Sequence, residues 1–321
     1  PCEGAAGGGS RRCVVVARLA AAASHDRDQR ELRHRRPAHW IEAYHGLRAL
    51  GARHFGRPRC RQRPRQARRG LAAPRSHAHE WVVHRPVLVV LHVPWETPGL
   101  IDDALGELPL VRRMVLDEPS PALPRASELG GLVVMGGPQD ADDDERHPGL
   151  LAERRLLAEA VSAEVPVLGV CLGMQLLALA LGARLHRRHG TELGFAPVAL
   201  TDAGAADPLL APLARESSCP VVLHWHSDAA ELPVGATLLG STPVTPVQAF
   251  RAGSALGTQF HAEVDLALLA TWLATPRMAE GLSSAELERL RREGDQYLPG
   301  LRAPALQGLA HFAAAVRDRR G

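Results

Sequence analysis

An open, mostly parallel α/β sheet with helices on both faces is the fold that residues 85–275 predict. Three observations predict it. Apolar runs alternate with helix-patterned segments along this stretch, the order of a parallel sheet covered on both sides. The runs at 86–92, 131–135 and 165–170 are continuously apolar, as strands buried on both faces are. Two of these runs end in Gly136-Gly137 and in Cys171, at strand carboxyl ends, where open α/β sheets place their ligands.

The elements follow in order. Residues 86–92 read as a buried strand. Thr97 can cap a helix through Leu105, with Pro98 in its first position. Residues 110–116 form a weaker strand, and 131–135 a buried one that ends in Gly136-Gly137-Pro138. After an acidic loop at 140–145, residues 148–163 carry Leu150, Leu151, Leu156, Leu157, Ala160 and Val161 at helical spacing. The strand 165–170 and a helix at 174–181 come next. Short strands are expected at 183–187, 198–201, 221–226, 237–239, 247–250 and 255–260. Three helices, at 265–274, 283–293 and 303–319, close the chain; Ser283 followed by Glu286 suits an N-cap with an acidic first turn.

The passage Gly169-Val170-Cys171-Leu172-Gly173-Met174-Gln175 carries the most chemistry. A strand that drives into a nucleophile between small residues, and turns at once into a helix, has the pattern of a nucleophile elbow. Here the nucleophile is a thiol. The helix N-terminus points partial positive charge at it, which suits a negatively charged sulfur. A buried structural cysteine is the plain rival reading. A base and an orienter decide between them. His261 stands at the end of the strand 255–260, and Glu263 shares its face if that strand continues. Backbone N–H groups at Gly136-Gly137 can bind a developing oxyanion. His224 and His226 also share a face, but a metal would need a third ligand and the sequence names none. His226 is read instead as a loop residue or substrate contact.

Composition narrows the function classes. The five cysteines are irregularly spaced, with no C-x-x-C pair, which argues against a disulfide framework or a cysteine zinc site and fits a reducing cytoplasm. No apolar run is long enough to span a bilayer. Every basic residue among the 38 Lys+Arg is arginine. Residues 1–84 hold 18 Arg and 6 acidic residues, leaving 20 and 29 for the remainder. A basic arm invites a nucleic-acid reading, yet it lacks heptads, finger spacing and aromatic residues placed for stacking. The first methionine is Met114. The arm at 1–84 is therefore expected to be low in order and to lie outside the working enzyme, with a natural start near Val82 or Val83. A signal peptide from Arg11 to Ala23 is the weaker alternative.

Four motifs in register, Gly136-Gly137-Pro138, the Cys171 elbow, Trp225-His226-Ser227-Asp228 and Gln259-Phe260-His261-Ala262-Glu263, resemble the class I glutamine amidotransferases. The closer likeness is to stand-alone members similar to the glutaminase domain of GMP synthase. It covers about 85–275, with 276–321 as a helical extension. The resemblance implies a flavodoxin-like fold and a triad of Cys171, His261 and Glu263. It implies an oxyanion hole at the N–H groups of Gly137 and Leu172. Gly136, Gln175, His226, Ser227 and Asp228 would surround glutamine. It implies no cofactor and no metal, and a cytoplasmic enzyme releasing glutamate and ammonia. The ammonia acceptor would sit on a separate synthetase or subunit, because no G-x-x-x-x-G-K-[ST] is present. A γ-glutamyl amide hydrolase and a non-catalytic regulatory module are the alternatives; neither nucleic acid nor membrane is a partner. Ala262 stands where the family has proline. Alanine can adopt the same φ at an entropic cost of about 1 kcal/mol or less, so the triad is expected to survive.

Overall fold

A computed structural model describes residues 85–320; the arm expected at 1–84 lies outside the described residues. The first half is a regular alternation. Strand β1 (Val87–Val90) leads to helix α1 (Leu100–Leu105), strand β2 (Leu110–Arg113) and strand β3 (Gly131–Val134). Helix α2 (Gly149–Ser162), strand β4 (Val167–Val170) and helix α3 (Leu172–Ala180) follow. The second half begins with β5 (Leu185–His186), β6 (Glu192–Pro197), β7 (Ala199–Leu200) and α4 (Asp202–Ala206). It continues with β8 (Val221–His226), β9 (Ala229–Ala230), β10 (Thr237–Ser241), β11 (Ala249–Ala252) and β12 (Ala255–Thr258). Helices α5 (Leu266–Ala274) and α6 (Ser284–Arg320) end it.

Eight strands form one sheet in the order β2-β1-β3-β4-β12-β11-β10-β7. Pairing is parallel from β2 to β12 and antiparallel from β12 to β7. The central strands carry apolar side chains on both faces, so each face builds its own core. Val87, Val89, Val133 and Val170 face the core that includes residues of α1 and α6. Leu88, Val90, Leu132 and Val134 face the core that includes residues of α2 and α3. This is the two-sided cover that the alternating sequence predicts. β6 and β8 form a separate antiparallel pair, and the β8 end of it abuts the carboxyl end of β12 through a bridge between Leu223 and His261.

The sheet grips α3 through glycine. A Cβ added at Gly173 would lie 1.9 Å from the Val134 carbonyl oxygen. Neither backbone can yield cheaply, so Gly173→Ala is expected to destabilise the fold by about 3 kcal/mol. A urea midpoint unchanged from wild type would refute this.

Several boundaries differ from the expected ones. α1 starts at Leu100, not behind a Thr97 cap. Its N-cap is Gly99 at φ 53°, without a side-chain cap hydrogen bond. The Leu100 N–H is taken by the Glu263 carbonyl oxygen at 2.9 Å, so a long-range contact sets the start. α3 begins at Leu172 rather than residue 174, because Cys171 itself makes the turn. β12 stops at Thr258. The helices expected at 283–293 and 303–319 are one helix that contains Pro299 and Pro304. Each interior proline costs about 3 kcal/mol. Burial of Leu290, Leu298, Ala305, Leu309, Phe312 and Val316 along one face offsets that cost. The expected Ser283 cap is present: its hydroxyl accepts from Glu286 N–H at 3.2 Å while the Glu286 carboxylate accepts from Ser283 N–H at 2.8 Å. Among the described residues no helix is long and apolar enough to cross a membrane.

Candidate active site

Strand β4 delivers Cys171 into a turn at φ 52°, ψ −107°, a conformation that side chains other than glycine rarely hold. The Cys171 N–H donates to the Thr258 carbonyl oxygen of β12 at 2.8 Å. The thiol is buried, under the first turn of α3. It lies 3.9 Å from the Trp225 carbonyl oxygen, and the Gln259 amide nitrogen donates to it at 3.5 Å. Gln259 in turn accepts from the Gln175 amide at 3.1 Å. A chain of two glutamines thus runs from the sulfur toward α3.

His261 reaches the same place from the adjacent strand. The strand does not continue to Glu263, as the shared-face expectation required. Instead the chain bends after Thr258, and His261 N–H donates to the Leu223 carbonyl oxygen at 2.9 Å. The bend still brings His261 Nδ1 to 2.7 Å from Glu263 Oε1, with both side chains buried. Burial works against a charged imidazole here, but the Glu263 carboxylate and the Cys171 sulfur outweigh it and hold the pKa well above 6.5. Trp272 packs edge-on against the ring, centroids 4.9 Å apart. Ala262, in place of proline, leaves the Glu263 contact intact.

Gly136-Gly137 is anchored from behind. His92 Nδ1 lies 2.9 Å from the Gly136 carbonyl oxygen, and its Nε2 lies 2.9 Å from Glu153 Oε2. Both side chains are wholly buried. A trans peptide points its C=O and N–H in opposite directions. Holding the Gly136 carbonyl toward His92 therefore turns the Gly137 N–H away from it. Among the described residues neither the Gly137 N–H nor the Leu172 N–H has an acceptor.

A cavity of about 410 Å³ opens over these groups, walled in part by Gly137, Cys171, Gln175, His226, Ser227, Asp228 and His261. Gly136 is not on its wall. His226 Nδ1 donates to the Asp228 carbonyl oxygen at 3.2 Å, Ser227 Oγ donates to Asp228 Oδ1 at 3.5 Å, and Arg188 N–H donates to the same oxygen at 2.8 Å. The loop is thereby fixed as one unit. His224, His226 and Glu192 do converge, with ligand atoms within 4.8 Å of one another. The third partner absent from the sequence reading is thus Glu192 of β6. The Gln248 amide nitrogen lies 2.7 Å from Glu192 and 3.3 Å from His226. Burial pushes His224 down to about 4, so its ring is neutral.

Glu96, His92 and Glu153 join the site without belonging to any of its sequence motifs. Glu96 lines the cavity and is 6% exposed. Glu153 had a signal: a carboxylate on the stripe of Leu150, Leu156 and Leu157 must find a buried partner.

Comparison with known proteins agrees with this geometry. Residues 103–272 match the family model described as glutamine amidotransferase class-I. The glutamine amidotransferase-like protein YfeJ of Salmonella typhimurium is 38% identical over 144 residues, which cover 44% of this chain and 59% of that one. A GMP synthase [glutamine-hydrolyzing] of Hamiltonella defensa is 33% identical over 141 residues, covering 42% of this chain and 25% of the relative. The chain thus spans only part of the length of these curated relatives. A separate GMP synthase subunit of Natronomonas pharaonis is 33% identical over 153 residues, 47% of this chain and 73% of that one. The crystal structure of a glutamine amidotransferase from Thermotoga maritima superimposes with a TM-score of 0.63 at 26% identity, over 72% of this chain and 98% of that one. The sheet order, the cysteine turn beside its histidine and the match over 103–272 converge: the chain belongs to the class I glutamine amidotransferase family.

Proposed function

We propose that the protein hydrolyses the side-chain amide of glutamine through a cysteine thioester, yielding glutamate and ammonia. The observation that carries this reading is the Cys171 thiol beside a buried His261–Glu263 pair, with two unoccupied backbone N–H donors next to it. The Cys171 thiolate adds to the amide carbon, and the carbonyl electron pair moves to oxygen. That oxyanion is held by Gly137 and Leu172 N–H. Collapse breaks the C–N bond as His261 gives its proton to nitrogen, and ammonia leaves. Water then gives a proton to His261 and adds to the thioester. Glutamate departs and the thiolate is restored. Glu263 keeps the imidazole oriented and balances its charge. Gln175 and the loop from His226 to Asp228 surround the substrate.

The ammonia acceptor is expected on a separate chain. One relative is by name a subunit of a GMP synthase, which supports this placement. A reducing cytoplasm suits a free Cys171 thiol. Cleavage of larger γ-glutamyl amides by the same groups is the second reading. It is favoured by the reach of the cavity, which extends from Cys171 to Met278 and Leu282.

Purified protein is expected to release equal amounts of glutamate and ammonia from glutamine. A glutamine-analogue electrophile should alkylate Cys171, with protection by glutamine. Alkylation that glutamine does not slow, with no ammonia released, would refute the reading.

A further inference from the structure

Glu96 stands out in the cavity. It is 6% exposed and lines the wall. Among the described residues it has no hydrogen bond and no ion pair. The other carboxylates on the wall are engaged: Asp140 with Arg187, Glu192 with the Gln248 amide, Asp228 with Arg188 N–H and Glu280 with Arg277. Burial lifts the Glu96 carboxyl to about 6, with the neighbouring histidines His261 and His92 pulling the other way. At neutral pH it is therefore a buried anion that no hydrogen bond or ion pair engages, on the wall of a cavity, an arrangement that calls for a ligand.

Its place says which part of the ligand. A Cβ added at Gly136 would lie 2.2 Å from Glu96 Oε2 and 3.6 Å from the Cys171 Cβ. The carboxylate thus sits at the cysteine end of the cavity and is coupled electrostatically to His261. The α-ammonium of glutamine is four bonds from the scissile carbon, whereas the leaving nitrogen is bonded to it, so the nitrogen nearer this end while Cys171 attacks is the leaving one. That nitrogen gains positive character as His261 protonates it.

We propose that Glu96 binds the leaving nitrogen of the scissile γ-amide, so that the site selects γ-glutamyl compounds whose leaving atom is a nitrogen bearing hydrogen. This rests on the glutaminase reading above. As the C–N bond breaks, its electron pair stays on nitrogen and His261 supplies the proton. Glu96 accepts a hydrogen bond from that nitrogen and exchanges neither proton nor electrons. An ester with the same acyl part offers no N–H and no developing ammonium, so it gains nothing from Glu96.

The test compares glutamine with glutamate γ-methyl ester on the full chain, wild type against Glu96→Gln and Glu96→Ala. Glu96→Gln keeps the shape and removes the charge, so it serves if Glu96→Ala fails to fold. The expected result is a loss of about 10- to 100-fold in kcat/KM for glutamine, with the ester changed by less than about 3-fold. Equal losses on both substrates, or no loss on glutamine, overturn the role of Glu96 and leave the glutaminase reading standing. Wild-type protein that cleaves neither substrate overturns that reading and this proposal with it.

Discussion

Cys171→Ala is expected to lower glutamine hydrolysis by about 10⁴-fold or more, because the thioester route vanishes with the sulfur. Cys171→Gly should be equally inactive, yet more stable than Cys171→Ala by about 1 kcal/mol. The backbone explains the difference. Position 171 sits at φ 52°, ψ −107°, which strains any residue with a Cβ and costs glycine little. Both variants lack the thiol, so comparing them isolates the strain from the chemistry. In a domain of this size the difference corresponds to about 2–4 °C in Tm. Equal melting points would show that the turn is unstrained. Residual turnover near wild type in either variant would remove Cys171 from the mechanism.

Much of the fold and part of the site were legible in the sequence, for identifiable reasons. Strands buried on both faces, such as β1, β3 and β4, write themselves as unbroken apolar runs. β8 falls on 221–226 as expected, because Val-Val-Leu precedes its polar end. Cys171, His261 and Glu263 lie within or just after such runs, so short motifs reveal them. β6 escaped notice because Glu192, Gly194 and Pro197 interrupt its pattern; its pairing with β8 defines it as a strand. The sequence pattern divides α6 into two helices because no local signal shows a tertiary contact strong enough to carry two prolines. The supporting residues of the site were the least legible. His92 meets the Gly136 carbonyl across 44 positions of sequence and Glu153 across 61, and Gln259 meets Cys171 across 88. Contacts of that range leave no periodic trace. They show only as single polar residues on apolar faces, and such residues become informative once the partner is known.

His92→Phe is expected to cost about 10²-fold in kcat for glutamine hydrolysis, although His92 does not line the cavity. The ring holds the Gly136 carbonyl at 2.9 Å, and that contact fixes which way the Gly137 N–H faces. Stability falls too, by about 3–5 kcal/mol, because the wholly buried Glu153 carboxylate loses its partner. A double variant separates the two effects. His92→Phe with Glu153→Leu replaces a buried pair by apolar groups, which is often neutral or stabilising. It should recover most of the lost stability and little of the lost activity. The pH dependence supplies a further check. Burial opposes the charge on His92, but Glu153 and the Gly136 carbonyl outweigh it and raise the pKa above 6.5. A pKa higher in the folded state than in the unfolded chain stabilises the fold fully below the unfolded value of 6.5 and progressively less as pH rises through the folded value. Wild type should therefore lose stability relative to the double variant as pH climbs above about 6.5. The measurement is chemical denaturation across that range, alongside steady-state turnover. If the double variant turns over glutamine at the wild-type rate, the His92–Gly136 contact is a packing feature and the orientation of the Gly137 N–H is set by something else.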